Sequence, residues 1–264
     1  MATTDTYTSN DTWVAPTGVT YVVVECWGAG GDSGTSALGG VAGAGGGAYA
    51  RKAMSVTPGN SYTVTVGASN GADSWFSTPG MVLAKGGSST GANDLVGGQG
   101  GQASSCIGDV KYSGGNGGNG TGTTNGSQSG SGGGGAGSTG NGGNGSTSNT
   151  PGTGTANGGG DGGAGQVSVN ADGTNGSVAG GGAGGACRTS GTRAGGTGAS
   201  GKVSITYAVA VGSDTSGTPV DSATLALGII VSDTAGIPEE NTSLKFNWKN
   251  ATKNISNWIN GDKH

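Results

Sequence analysis

The chain has 264 residues, 65 of them glycine and only 6 proline, with 11 Lys and Arg against 15 Asp and Glu for a net charge of −4. Collagen fits poorly, because a triple helix needs an unbroken Gly-X-Y register and abundant proline. The few, dispersed Lys and Arg argue against nucleic-acid binding and against a basic membrane-surface helix.

The length allows one or two domains. The start, Met1 to Tyr7, is polar and lacks the charged and apolar regions of a secretion signal. No window approaches the ~18 apolar residues of a membrane-spanning helix, so no membrane insertion is expected. Three cysteines, Cys26, Cys106 and Cys187, have no metal-ligand spacing and suit folding in a reducing cytoplasm.

From Thr6 to about Lys85 the chain reads as β-strands. Val19 to Trp27 is rich in β-branched and aromatic residues, as a largely buried strand is. Ala48 to Val56 is a further strand. Thr57-Pro58-Gly59-Asn60 is a turn signal, and Ser61 to Val66 then alternates with Tyr62, Val64 and Val66 on one face. Another strand is expected from Trp75 to Ala84.

From about 86 to 201 glycine dominates, in runs near Gly97, Gly114, Gly132, Gly142, Gly158, Gly180 and Gly195. Between Tyr112 and Lys202 the only larger aliphatics are Val167, Val169 and Val178. One reading is disorder, since too little apolar surface is available to offset chain entropy. Against it, the charge that keeps disordered segments solvated is nearly absent, Asp161 and Asp172 being alone between Tyr112 and Ala186. The other reading is a bundle of glycine helices of the polyproline-II type. That helix has three residues per turn and no internal hydrogen bonds, so its amides are free to bond neighbouring helices. Lys202 to Tyr207 then returns as a strand with Val203, Ile205 and Tyr207 inward, which makes the glycine region an insertion in one β domain.

Residues 208–222 read as a linker. Residues 223–264 form a small unit with an apolar run at 225–231, an alternating Leu244 to Trp248, and Ile255, Trp258 and Ile259 on a short helix or strand. The expected fold is therefore all-β: a small β-sandwich-like domain over 1–207 with a polyglycine-II insertion, plus a small β-rich, partly helical C-terminal unit. Leu244, Phe246, Trp248, Ile255, Trp258 and Ile259 are many large apolar groups for so short a unit. They are the expected anchor or oligomerisation interface.

Several spaced motifs agree with a known family. Trp13-Val14-Ala15-Pro16-Thr17-Gly18-Val19, Glu25-Cys26-Trp27-Gly28-Ala29-Gly30-Gly31, Gly45 to Arg51, Val56-Thr57-Pro58-Gly59, Tyr62 to Gly67, Ala84-Lys85-Gly86-Gly87 and Gly201 to Tyr207 occur in order. Together they resemble the glycine-rich domain of bacteriophage tail-fibre and virion-surface proteins. The glycine runs also resemble the distal adhesins on the long tail fibres of T-even-type phages, whose polyglycine-II helices stack in layers and whose loops touch the bacterial receptor. That resemblance implies receptor contacts in the loops 121–128, 146–157, 166–178 and 188–193. The residues it singles out are Thr123, Asn125, Gln128, Asn149, Asn157, Asn170, Asp172, Asn175, Arg188 and Arg193. Mycobacterial surface proteins with Gly-Gly-Ala and Gly-Gly-Asn repeats are a second resemblance, but they carry a helical N-terminal domain that has no counterpart here.

Enzymatic chemistry finds little foothold. The single histidine is His264, and no Asp/Glu pair has a spacing that specifies acid–base work. Gly28-Ala29-Gly30-Gly31 follows a strand but no amphipathic helix follows it, so a dinucleotide loop is not indicated. Cys26 reads as a packed strand residue. No cofactor and no metal are expected.

The expected function is a phage virion protein, made in the host cytoplasm, that acts as a tail-fibre tip adhesin through polar loops between glycine rods. The alternative is a structural role as head fibre, capsid decoration or tail adaptor. The expected partners are a fibre shaft or capsid protein, a surface glycan or outer-membrane protein of the host, and further copies of the chain or a trimeric fibre. An ice-binding bundle is a third possibility and would need a flat threonine-bearing face.

Overall fold

The computed structural model describes residues 2–155, 157–167 and 170–209, together with the backbone of 223–224 and 230–231. The linker beyond Val209 and the anchor residues Leu244, Phe246, Trp248, Ile255, Trp258 and Ile259 lie outside the described residues. The short strands β10 (Ala223–Thr224) and β11 (Ile230–Val231) pair with each other.

The N-terminal β domain is built from two antiparallel sheets. The first has the order β1 (Ala2–Tyr7), β9 (Lys202–Ala208), β3 (Tyr21–Trp27), β4 (Tyr49–Ser55), β8 (Val110–Tyr112). The second has the order β2 (Asp11–Val14), β5 (Ser61–Thr65), β6 (Ser74–Phe76), β7 (Val82–Ala84). Among the described residues there is no α-helix, only a 3-10 turn at Ala103–Ser105. Period-two alternation sets which side chains meet. Val22, Val24 and Cys26 of β3 and Val203, Ile205 and Tyr207 of β9 turn into one core, where they meet Trp13, Val64, Phe76 and Val82 of the second sheet. This is the sandwich-like, all-β arrangement that the alternation predicts.

Two elements differ from expectation. The strand expected from Trp75 to Ala84 is a hairpin, β6 and β7, because Ser77 takes a positive φ of 62° and Pro79 has no amide to give to a ladder. β1 begins at Ala2, ahead of the expected start. It carries no apolar alternation because its hydroxyls do the cross-strand pairing: Thr4 Oγ1 bonds Thr206 Oγ1 at 3.0 Å and Thr6 Oγ1 bonds Ser204 Oγ at 3.3 Å. β1 also supplies Asp5, whose carboxylate accepts from Trp13 Nε1 (3.0 Å) and Tyr207 Oη (2.9 Å).

The glycine-rich part is neither helix nor strand, yet its segments are hydrogen-bonded to one another throughout. Residues 40–48 are all buried and lie at the centre. Their amides donate in three directions in rotation. Gly40, Gly43 and Gly46 donate to Gly122, Gly118 and Gly115. Val41, Ala44 and Gly47 donate to Ala186, Ala183 and Gly180. Ala42, Gly45 and Ala48 donate to Asp94, Ser88 and Lys85. Their carbonyls face further neighbours: Val41, Ala44 and Gly47 accept from Gly130, Gly133 and Ala136, while Gly43 and Gly46 accept from Gly98 and Gly101. The neighbours step by three or four residues, except from Asp94 to Ser88, and three of the five run antiparallel to the central segment.

Such packing leaves no room for side chains at its glycines. A Cβ on Gly43 would stand 2.1 Å from the carbonyl oxygen of Ser131, and one on Gly45 2.0 Å from that of Gln99. The central segment also lies before 86, so the glycine packing recruits the β3–β4 connection as well as the expected insertion.

Candidate functional site

The glycine segments run back and forth between the sheets and a far end. At the sheet end Gly28, Ala48, Lys85, Gly101 and Ala136 meet near β3 and β4. A second apolar cluster joins them there, with Ala136 and Ala179 against Trp27 and Tyr49. At the far end the chain turns, and five segments meet: 33–39, 91–96, 121–128, 170–172 and 188–193.

Backbone bonds tie these turns together. Ser36 and Arg193 exchange both amide bonds (2.8 and 2.9 Å), Arg188 N donates to Gly39 O (2.9 Å), and Gly126 N donates to Arg188 O (2.9 Å). Side chains add to them. Arg188 Nη1 donates to Asn125 Oδ1 at 2.8 Å, and its Nε donates to the carbonyl of Gly191. Asn170 Oδ1 accepts from the amides of Thr189 (2.9 Å) and Ser190 (3.1 Å). Asn93 Oδ1 accepts from Ala37 N at 2.8 Å, and Thr124 Oγ1 shares a 2.8 Å bond with Ser127 Oγ. Arg188 and Arg193 are the basic side chains of these turns, alongside Asp94 and Asp172, and Arg193 Nε is buried without an acceptor.

Of the residues singled out in the sequence, Thr123, Asn125, Gln128, Asn170, Arg188 and Arg193 stand together at this end. Asn149 lies in a separate turn, closed by Ser146 Oγ donating to Thr150 O at 2.9 Å. Asn157 stands at the sheet end, next to Gly158, which presses on the Trp27 indole. Asp172 and Asn175 lie on a hydrogen-bonded glycine segment, where Oδ1 of each accepts a neighbouring amide, Ala194 N (3.0 Å) and Thr197 N (2.9 Å).

Asp172 and Asn175 belong to a wider pattern. Asn116 and Asn119, spaced by three, accept from Gly100 N and Gly97 N. Asn141 and Asn144 accept from Ser113 N and Asn116 N. At the surface of these hydrogen-bonded glycine segments, where no further backbone carbonyl is available, an Asx oxygen supplies the acceptor. Most of these amides are exposed, so each such bond contributes about 0.5–1.5 kcal/mol.

The far end also has residues that the sequence reading did not single out. Leu38 is 51% exposed and Val96 76% exposed, the two largest apolar surfaces there. Leu38 directly precedes the run Gly39-Gly40, a turn boundary of the same kind as those after 86.

The three cysteines are free and buried, and burial pushes the thiols of Cys26 and Cys106 up, away from thiolate reactivity. Among the described residues, no group of three His, Cys, Asp or Glu side chains could hold a metal ion, and no helix is long and apolar enough to cross a membrane. No curated protein matches the chain. The glycine-rich domain family matches residues 3–208, and the chain belongs to that family.

Proposed function

We propose that this protein is a bacteriophage virion component that acts as a tail-fibre tip adhesin, with its glycine segments folded as polyglycine-II rods. The observation that carries the rod assignment is the rotation of the amides of residues 40–48 through three neighbours, as a helix of three residues per turn requires. The observation that carries the adhesin assignment is the meeting of five segments at the end remote from the sheets. Loops held by a rigid scaffold are where binding residues concentrate. Thr123, Asn125, Gln128, Asn170, Arg188 and Arg193 are the receptor-facing polar groups in this reading, with Leu38 and Val96 as apolar contacts. The receptor is a surface glycan or an outer-membrane protein. The C-terminal unit attaches the protein to a fibre shaft, as a homo-oligomer or on a trimeric fibre.

A second reading, a structural role as head fibre, capsid decoration or tail adaptor, draws on a specific observation. The end loops lack aromatic residues, and Arg188 and Asn170 spend hydrogen bonds on their own loops. Adsorption competition separates the two. Purified protein added ahead of phage lowers adsorption if it is an adhesin, and Arg188→Ala with Thr123→Ala weakens that competition. Protein that docks on virions yet never binds host cells overturns the adhesin reading.

A further inference from the structure

The outer face of the first sheet is covered only in part. Ala136 and Ala179 close over Trp27 and Tyr49, and beyond the turn carrying Ser138 a groove of about 570 Å³ opens. Its floor is β3, β4, β8 and β9, and Glu25, Arg51, Val110, Tyr112 and Thr206 face into it.

The charges in this groove are arranged unusually. Glu25 and Arg51 are direct cross-strand partners, and Arg51 is in turn opposite Val110. Opposite charges so placed normally pair with each other. Here Glu25 Oε1 instead accepts the Tyr49 hydroxyl at 2.5 Å. Among the described residues, no carboxylate lies within ion-pair distance of the Arg51 guanidinium, which is exposed. Burial, and then the bond to Glu25, hold the Tyr49 hydroxyl protonated well above its ordinary range, so it stays a donor. The groove therefore holds a fixed carboxylate, a guanidinium without a partner, the Thr206 and Ser138 hydroxyls, and a half-buried ring. That ring, Tyr112, is stacked on Tyr49 at 6.2 Å and 23°.

We propose that this groove is a binding site for an acidic saccharide. The guanidinium fork matches a sugar carboxylate in two-point geometry. The free lone pairs of Glu25 and the hydroxyls of Thr206 and Ser138 accept and donate to ring hydroxyls, and the apolar face of the sugar lies on Tyr112 and Val110. The site stands at the sheet end of the molecule, remote from the turns proposed to meet a receptor, and does not depend on that reading.

The test is a titration of the full chain with methyl β-glucuronide, methyl β-glucoside and acetate, followed by amide chemical shifts. The uronide shifts the amides of Glu25, Arg51 and Tyr112, and binds about tenfold or more tightly than either control, since a charge-assisted bond and ring contacts act together. Arg51→Gln, an exposed change that leaves the sheet intact, weakens binding about tenfold. Val110→Glu places a carboxylate opposite the guanidinium and abolishes binding while the shift pattern of the core stays native. Uronide binding that Arg51→Gln leaves unchanged, or acetate binding equal to uronide binding, overturns the proposal. Shifts confined to 121–128 and 188–193 also overturn it, and would speak for the far-end loops instead.

Discussion

The sandwich and the glycine bundle solve the same problem with opposite parts of the amino acid. In the sandwich, Phe76, Ile205 and Val24 bury side chains completely while the backbone pairs within sheets. In the bundle, residues 40–48 are as buried, but what packs there is chiefly backbone on backbone. A side-chain core tolerates a change of shape and loses transfer energy in proportion to what is removed. A backbone core loses little when a methyl group is trimmed and fails when one is added at a glycine. The two regions should therefore respond to mutation with opposite signs of size.

The largest expected effect is at the centre of the bundle. Gly46→Val puts a Cβ 2.1 Å from the carbonyl oxygen of Gly134, with backbone on every side. Because the obstacle is not a flexible side chain, the expected cost is about 4 kcal/mol or more, or failure to fold. Ala44→Gly, two residues away, is expected to cost about 1 kcal/mol, mainly through the unfolded chain. Next in size, Phe76→Ala in the sandwich costs about 3–5 kcal/mol. Chemical denaturation of the three variants measures the contrast. A Gly46→Val protein as stable as Ala44→Gly would remove the claim that the bundle is close-packed through its backbone.

The sandwich was legible in the sequence because alternation writes burial directly. Val22, Val24 and Cys26, and Val203, Ile205 and Tyr207, are spaced by two and all turn inward. β1 left no such trace, since Thr4 and Thr6 stabilise it by pairing hydroxyls with β9. The runs and turns after 86 were legible as punctuation. The part played by 40–48 was not, because that segment lies between two ordinary strands and its Ala and Val residues blur the glycine signal. At the far end, Asn125 and Arg188 were each chosen from their own loop, but their contact joins residues 63 apart in sequence. No local pattern encodes such a pairing. The three-residue spacing of Asn116 with Asn119 and Asn141 with Asn144 was visible, and its meaning became clear only once the amides facing those oxygens were known.

Raising the pH attacks the sandwich before the bundle, because the titratable groups with displaced pKa values belong to the β domain. Burial raises the thiols of Cys26 and Cys106 above 9.0 and the phenols of Tyr49, Tyr7 and Tyr207 above 10.0. A group with a raised folded pKa gives stability that is complete below its unfolded pKa and is lost as the pH climbs through the folded one. Stability should thus fall from about pH 9 upward, by up to about 1.4 kcal/mol per pH unit for each proton held only by the folded chain. Lys202, lowered by burial beside Trp27, works the other way over the range just below 10.5. Thermal unfolding between pH 7 and 11, repeated on Cys26→Ala with Cys106→Ala, gives a later onset if the thiols lead. An unchanged onset assigns the loss to the tyrosines.

The smallest effects are expected at the bundle surface, and they sharpen the comparison by testing where backbone packing ends. Asn144 Oδ1 accepts the Asn116 amide at 2.8 Å, on a residue that is itself exposed. Asn144→Ala removes one acceptor from an amide that water can partly reach, so the expected loss is about 0.5–1.5 kcal/mol. Asn144→Asp keeps the acceptor and should restore most of it, whereas Asn144→Leu should not, despite adding apolar bulk. Equal stability for the Asp and Leu variants would mean that the side chain acts by shielding rather than by accepting. The Asx ladder would then be a polar coat, and the bundle's hydrogen bonding would end at its outermost glycines.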